Sequence, residues 1–171
     1  QQERNIAATS VETAPGQWKL RVDAVPPPAT TRQLRSVAED LHKAALRGEK
    51  PSYAVGVIGP EEAARVRAAT GYNLLLHRRT LNAEDVMHGM DRHNRQAAAI
   101  GETPITYADM GRYNEIVGSP DLVSRGARPN SIIYEKRYPD GTVYVAEQIL
   151  RGNNIEFRSM YKNKVAERMR P

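Results

Sequence analysis

In the first half of the chain, apolar positions recur at helical spacing. After Thr31, which suits an N-cap, Leu34, Val37, Ala38, Leu41, Ala44 and Ala45 mark one face of a helix that Gly48 stops. "PSYAVGVI" then alternates like a strand. "GPEEAARVRAATG" reads as a short helix: Pro60 sits in its first turn, Glu61 and Glu62 complement the positive end of the dipole, and Gly71 follows its last turn. "YNLLLHRRTL" predicts another strand, and "NAEDVMHGMDRHNRQ" a helix capped by Asn82 with acidic residues in its first turn. Thr106 and Asp109 have the spacing of a capping box, opening a further helix closed by Gly118 and Pro120.

In the last third the period changes to two. Ile132 to Tyr138, Val143 to Leu150 and Ile155 to Tyr161 are rich in β-branched and aromatic residues, and "PDG" and "GNN" separate them as turns. Helices first and a meander last predict an α+β domain, with N-terminal helices packed on a C-terminal antiparallel β-sheet. Residues 1–31 read as a polar, Pro-rich linker or tail ending in Pro26, Pro27 and Pro28, although the alternation of Trp18, Leu20 and Val22 would also suit a short edge strand. Residues 32–166 then form the domain and 167–171 a C-terminal tail. The chain begins at Gln1 without an initiator Met and is expected to be a fragment or processed part of something longer.

A length of 171 residues fits one domain of ordinary size. Lys and Arg number 25 against 20 Asp and Glu, a net charge of +5 that favours an anionic partner such as nucleic acid. The absence of cysteine excludes disulfides, thiolate zinc sites and Cys nucleophiles. No apolar run reaches the roughly 20 residues that span a bilayer, and the first residues lack the basic-then-apolar order of a signal peptide, so no membrane association is expected.

Two segments carry candidate chemistry. His88 and His93 share the helix that Asn82 opens, but five residues at about 100° each put them about 140° apart. Metal-binding helices space their histidines four apart, and no Cys or third His lies at a convenient distance, so neither a metal nor another cofactor is expected. An imidazole of ordinary pKa can instead take and return a proton near neutrality. At that separation only one ring enters a cleft fully. His93 is favoured, because the helix dipole near its C-terminal end supports a protonated ring. The alternative is two ordinary helix histidines, and His42 and His77 read as parts of a solvated basic face.

The second segment is the final strand, where Arg158, Ser159, Tyr161 and Lys162 suit a phosphate. Strict alternation sends Ile155, Phe157, Ser159 and Tyr161 one way and Glu156, Arg158, Met160 and Lys162 the other. A bulge would be needed to gather all four. Arg151, at the preceding turn, is a further phosphate contact. The alternative is a solvent-facing strand whose Lys and Arg protect an edge.

Taken in order, "EEAARVRAATG", "HRRTLNAEDVMHGMDRHNRQ", "ITYADMGRYNEIVGSPDLV" and "IIYEKRYPDGTVYVAEQILRGNNIEFRSMYKNK" resemble the phage and polymorphic-toxin nuclease domains grouped with barnase, EndoU, the tRNA-cleaving colicins and RelE. Such domains have a helix with two histidines separated by four residues, a helix led by Thr and Asp that ends in "I..PD", two strands, and a closing strand of the type "TMYK". Here those features fall on His88 and His93, on Ile105 to Asp121, and on Ser159 to Lys162. The resemblance runs from Leu34 to Lys164. Ser159 replaces the usual Thr and keeps its hydroxyl, and Asn94 replaces the usual Gly after the second histidine, where αL geometry remains accessible.

The resemblance implies metal-independent cleavage of RNA, with tRNA as one candidate. The ribose 2′-hydroxyl would attack phosphorus and leave a 2′,3′-cyclic phosphate. His93 or His88 would act as base, Arg158 or Arg151 with Lys162 would hold the phosphate, and Ser159 and Tyr161 would position it by hydrogen bonds. It also implies a cognate immunity or inhibitor protein, and action in a bacterial cytoplasm after delivery by a larger effector or phage particle. The alternative is a non-catalytic nucleic-acid-binding or virion-structural module with the same fold.

Overall fold

The structure, a computed structural model, describes residues 3–5, 11–14, 17–19, 27–93 and 102–164, with the side chains of 27–91 and 104–163. In chain order the elements are β1 (Glu3–Asn5), β2 (Val11–Ala14), β3 (Gln17–Lys19), α1 (Thr31–Leu46), β4 (Ser52–Val57), α2 (Pro60–Thr70), β5 (Arg78–Asn82) and α3 (Ala83–Met87). A π-helical turn, His88–His93, continues α3. There follow β6 (Glu102–Thr103), α4 (Tyr107–Met110), α5 (Tyr113–Gly118), β7 (Leu122–Arg125), β8 (Ser131–Tyr138), β9 (Gly141–Leu150) and β10 (Asn154–Lys164).

The expected α+β architecture is present. Strands β7 to β10 form an antiparallel meander. The antiparallel pair β4 and β5 joins it through a parallel pairing of β5 with β10, giving a mixed sheet ordered β1-β4-β5-β10-β9-β8-β7 with β6 also on β10. In the N-terminal stretch β1 pairs in parallel with β4, while β2 and β3, the latter containing Trp18, form a separate two-stranded sheet. Leu20, Val22 and residues 167–171 lie outside the described residues.

Local signals account for most element ends. The N-cap of α1 is Thr30 rather than the expected Thr31: its side chain accepts from the Gln33 N–H at 3.2 Å, and Gln33 Oε1 accepts from the Thr30 N–H at 2.9 Å. Thr31 is already inside the first turn, since only Thr30 stands three residues before a Gln that can return the bond. Gly71 closes α2 at φ +82°, a conformation that a Cβ disfavours. The capping box of Thr106 and Asp109 forms, but the helix it opens breaks at Gly111 and Arg112 into α4 and α5. There the chain passes so close to α1 that a Cβ on Gly111 would stand 2.9 Å from the Thr31 carbonyl oxygen.

The helices cover one face of the sheet. Leu34 and Leu41 of α1, Met110 of α4 and Ile116 of α5 bury against Ile132, Val143, Val145, Ile155 and Phe157, and Tyr113 meets Phe157 edge to face at 5.2 Å. Within this core sits an ion cluster. Arg79, 3% exposed, donates to Glu147 from Nε at 2.6 Å and Nη2 at 3.1 Å, and to Glu62 from Nη1 at 2.7 Å. The Tyr113 hydroxyl also donates to Glu147, and the Tyr134 hydroxyl accepts from Arg79 Nη2 at 3.4 Å. Burial, reinforced by the Glu147 charge, pushes both tyrosines well above their ordinary pKa.

Candidate active site

The site is organised by β10. Against β9, Phe157 pairs with Glu147 but Ser159 with Ala146, so Arg158 is the extra residue of a β-bulge. The bulge resets the alternation. Ile155 and Phe157 before it and Met160 and Lys162 after it all bury on the helix side. Glu156, Ser159 and Tyr161 are left on the open side, so Ser159 and Tyr161 do not share a face with Ile155 and Phe157 as strict alternation predicts.

The bulge thus brings Arg158 and Ser159 together and separates them from Lys162. Lys162 is 6% exposed, with Nζ 3.2 Å from each carboxylate oxygen of Asp109 and 3.6 Å from Asp140. Arg112 stands beside this cluster, its guanidinium 4.3 Å from the centre of the Tyr138 ring. Lys162 therefore ties the end of β10 to α4. Tyr161 remains on the open side, stacked on Tyr144 across the strand pair with centroids 4.8 Å apart and planes 13° off parallel.

On the open side a groove of about 780 Å³ is lined by Asp85, Arg128, Ser131, Gln148, Arg158 and Ser159, among others. Arg158 Nη1 lies 3.2 Å from Asp85 and 3.1 Å from Glu156, and its side chain is 43% exposed. Asp85 is itself held by the N-cap of α3: its N–H donates to Asn82 Oδ1 at 2.8 Å, and its Oδ2 accepts from Asn82 Nδ2 at 2.6 Å. Asp85 and Glu156 are only 17% and 19% exposed, but the guanidinium itself is open to the groove, so an incoming phosphate can take it over. Arg151 is exposed in the β9–β10 turn and does not line the groove.

His88 caps the C-terminus of α3 and is exposed. It follows Asp85 by three residues and does not itself line the groove, but the turn it opens lies beside β10, the strand that carries Arg158 and Ser159. The expected separation of about 140° from His93 assumed an α-helix. The intervening residues instead form a π turn, whose i to i+5 hydrogen bonding turns the chain by fewer degrees per residue than an α-helix does. The backbones of His88 and His93 therefore stand closer round the axis than about 140°. The His93 side chain and Asn94 lie outside the described residues.

Sequence reasoning missed Asp85, Arg128 and Gln148, which only the folded sheet gathers. It also misjudged His42. That side chain is 13% exposed, not solvated: Nδ1 lies 2.8 Å from the Tyr107 hydroxyl and Nε2 3.0 Å from Asp91 Oδ1. A signal was available, since His42 stands four residues after Ala38 and three before Ala45, on the border of the apolar stripe. His77 does not line the groove. Among the described residues no group of three or more His, Asp or Glu is arranged to hold a metal ion.

Residues 56–168, from β4 to past the end of β10, match the family described as phage-Barnase-EndoU-ColicinE5/D-RelE like nuclease3. No curated protein and no solved structure matches the chain significantly.

Proposed function

The chain belongs to this nuclease family, and from that premise we propose that it is a metal-independent endoribonuclease whose substrate lies in the groove beside β10. The observation that carries the proposal is the meeting, on the open side of the sheet, of a guanidinium and a hydroxyl, Arg158 and Ser159, on the strand beside which the histidine turn lies. Cyclising cleavage requires a base, an acid and a cation. The bond from the 2′-oxygen to phosphorus forms as the bond to the 5′-oxygen breaks, so one proton must leave the first oxygen and one must reach the second.

His88 and His93, brought closer round the axis by the π turn, act as this base and acid. Arg158 exchanges Asp85 for a phosphoryl oxygen, Ser159 donates a hydrogen bond to it, and Arg128 and Arg151 meet flanking phosphates. The stacked Tyr144 and Tyr161 offer an aromatic platform for an unpaired base. Lys162 contributes by anchoring α4 through Asp109 rather than by touching the phosphate. Single-stranded RNA, including tRNA loops, is the proposed substrate, and an acidic immunity protein closing the same groove is the proposed partner.

Purified protein incubated with RNA in EDTA tests the proposal. The expected products end in 2′,3′-cyclic phosphates. Salt-sensitive RNA binding without cleavage would instead identify a non-catalytic nucleic-acid-binding module, and activity abolished by EDTA would identify a metal nuclease.

A further inference from the structure

We infer that His42 is a positioning residue for the histidine turn, acting through Asp91; the inference rests on the proposed ribonuclease reading. Asp91 lies inside the turn, three residues after His88 and two before His93. A π turn is a rare conformation, found mostly as a single turn inserted in an α-helix, so ties from outside decide whether it persists. His42, on α1, supplies one: its Nε2 is 3.0 Å from Asp91 Oδ1, and its ring is mostly shielded from water.

The two partners also match one tautomer of a neutral ring. An ionised carboxylate only accepts, so Nε2 must carry the hydrogen, and in the neutral imidazole Nδ1 is then the acceptor. The Tyr107 hydroxyl, 2.8 Å from Nδ1, is the matching donor. Burial, helped by the nearby Glu39 carboxylate, raises the Tyr107 pKa and keeps that donor protonated. The relay Tyr107–His42–Asp91 thus ties α4, α1 and the turn together by directed bonds, with the ring of Tyr107 packed edge-on to that of His42 at 5.9 Å. His42 touches neither substrate nor the reacting atoms. Its effect is to hold the backbone that carries His88 and His93, and a shift of about 1 Å in such a group costs on the order of 10²-fold in rate.

The test compares wild type with His42→Ala, His42→Gln and Asp91→Ala in RNA cleavage, and follows amide hydrogen exchange across residues 88–93. His42→Ala and Asp91→Ala are expected to lower kcat by on the order of 10- to 100-fold with KM little changed, and to speed exchange in the turn. His42→Gln keeps an N–H donor near the Nε2 position and should recover most of both. A purely structural role would lower the Tm and leave kcat per folded molecule and the rescue pattern unmoved. Folded His42→Ala with wild-type kcat and wild-type exchange would overturn the inference while leaving the ribonuclease reading intact. If wild type produces no cyclic-phosphate ends, that reading fails, and exchange in the turn still decides whether His42 holds it.

Discussion

Arg79 and Arg158 stand on neighbouring strands, β5 and β10, and each faces two carboxylates, yet they do opposite work. Arg79 is 3% exposed and is gripped by Glu147 and Glu62 at 2.6 and 2.7 Å. Arg158 is 43% exposed and meets Asp85 and Glu156 at 3.2 and 3.1 Å. Arg79 and Glu147 are cut off from water, while Glu62, 18% exposed, closes the cluster from α2, so the buried pair is committed to a single packing of β5 and β9. In the groove the guanidinium is open to water although both carboxylates are mostly covered, so a phosphate can reach it and replace one of them. The same charges specify the fold on one side of the sheet and remain exchangeable on the other.

Breaking the buried side should have the largest effect. Arg79→Ala leaves the Glu147 charge without its cation, and is expected to cost about 3–5 kcal/mol in urea unfolding. A cost below about 1 kcal/mol would mean that the cluster is wetter than its burial indicates. On the open side, His88→Ala and His93→Ala should each lower the cleavage rate by about 10²-fold or more at unchanged Tm. If only one does so, the π turn does not present both rings, and the base–acid pair is wrong.

The buried side also predicts an alkaline limit. Folding raises the pKa of Tyr113 and Tyr134, so their contribution is complete below the unfolded tyrosine value of about 10 and is lost as pH rises above it. Stability should fall there by about 1.4 kcal/mol per pH unit for each tyrosine, and Tyr134→Phe should flatten the slope by that amount. Stability that stayed flat to well above pH 10 would contradict their burial. The smallest effect belongs to Arg158→Ala, expected to change stability by less than about 1 kcal/mol. It should also reduce the salt dependence of single-stranded RNA binding by a slope of about 0.7, the loss of one phosphate contact. An unchanged slope would remove Arg158 from the phosphate site.

The difference between the two arginines was not legible in their sequence surroundings. "HRRTL" and "EFRSMY" both place Arg in an alternating strand, and nothing local says which one meets a carboxylate from a distant strand and which meets water. Asn82 illustrates the opposite case: its role as N-cap of α3 is readable from spacing alone, and the structure confirms it with a bond from the Asp85 N–H. That the Asp85 carboxylate also holds Arg158 is a contact across 73 residues, beyond any local pattern.

By itself the sequence determined what depends on a few neighbouring residues: the apolar stripe of α1, the caps at Asn82 and Thr106, the Gly71 stop, the three-strand meander and its turns, and from these the α+β class. Tertiary structure decided the rest. The bulge at Arg158 lies between the pairings of Phe157 and Ser159 with β9, and that single inserted residue put Ser159 and Tyr161 on the open side of the sheet and Lys162 on the helix side. The His88–His93 turn winds as π rather than α, tied through Asp91 to a histidine 49 residues away. Each of these outcomes turns on pairings between distant segments, whose energies local periodicity does not contain, and so the elements could be read from the chain while the faces they present to one another could not.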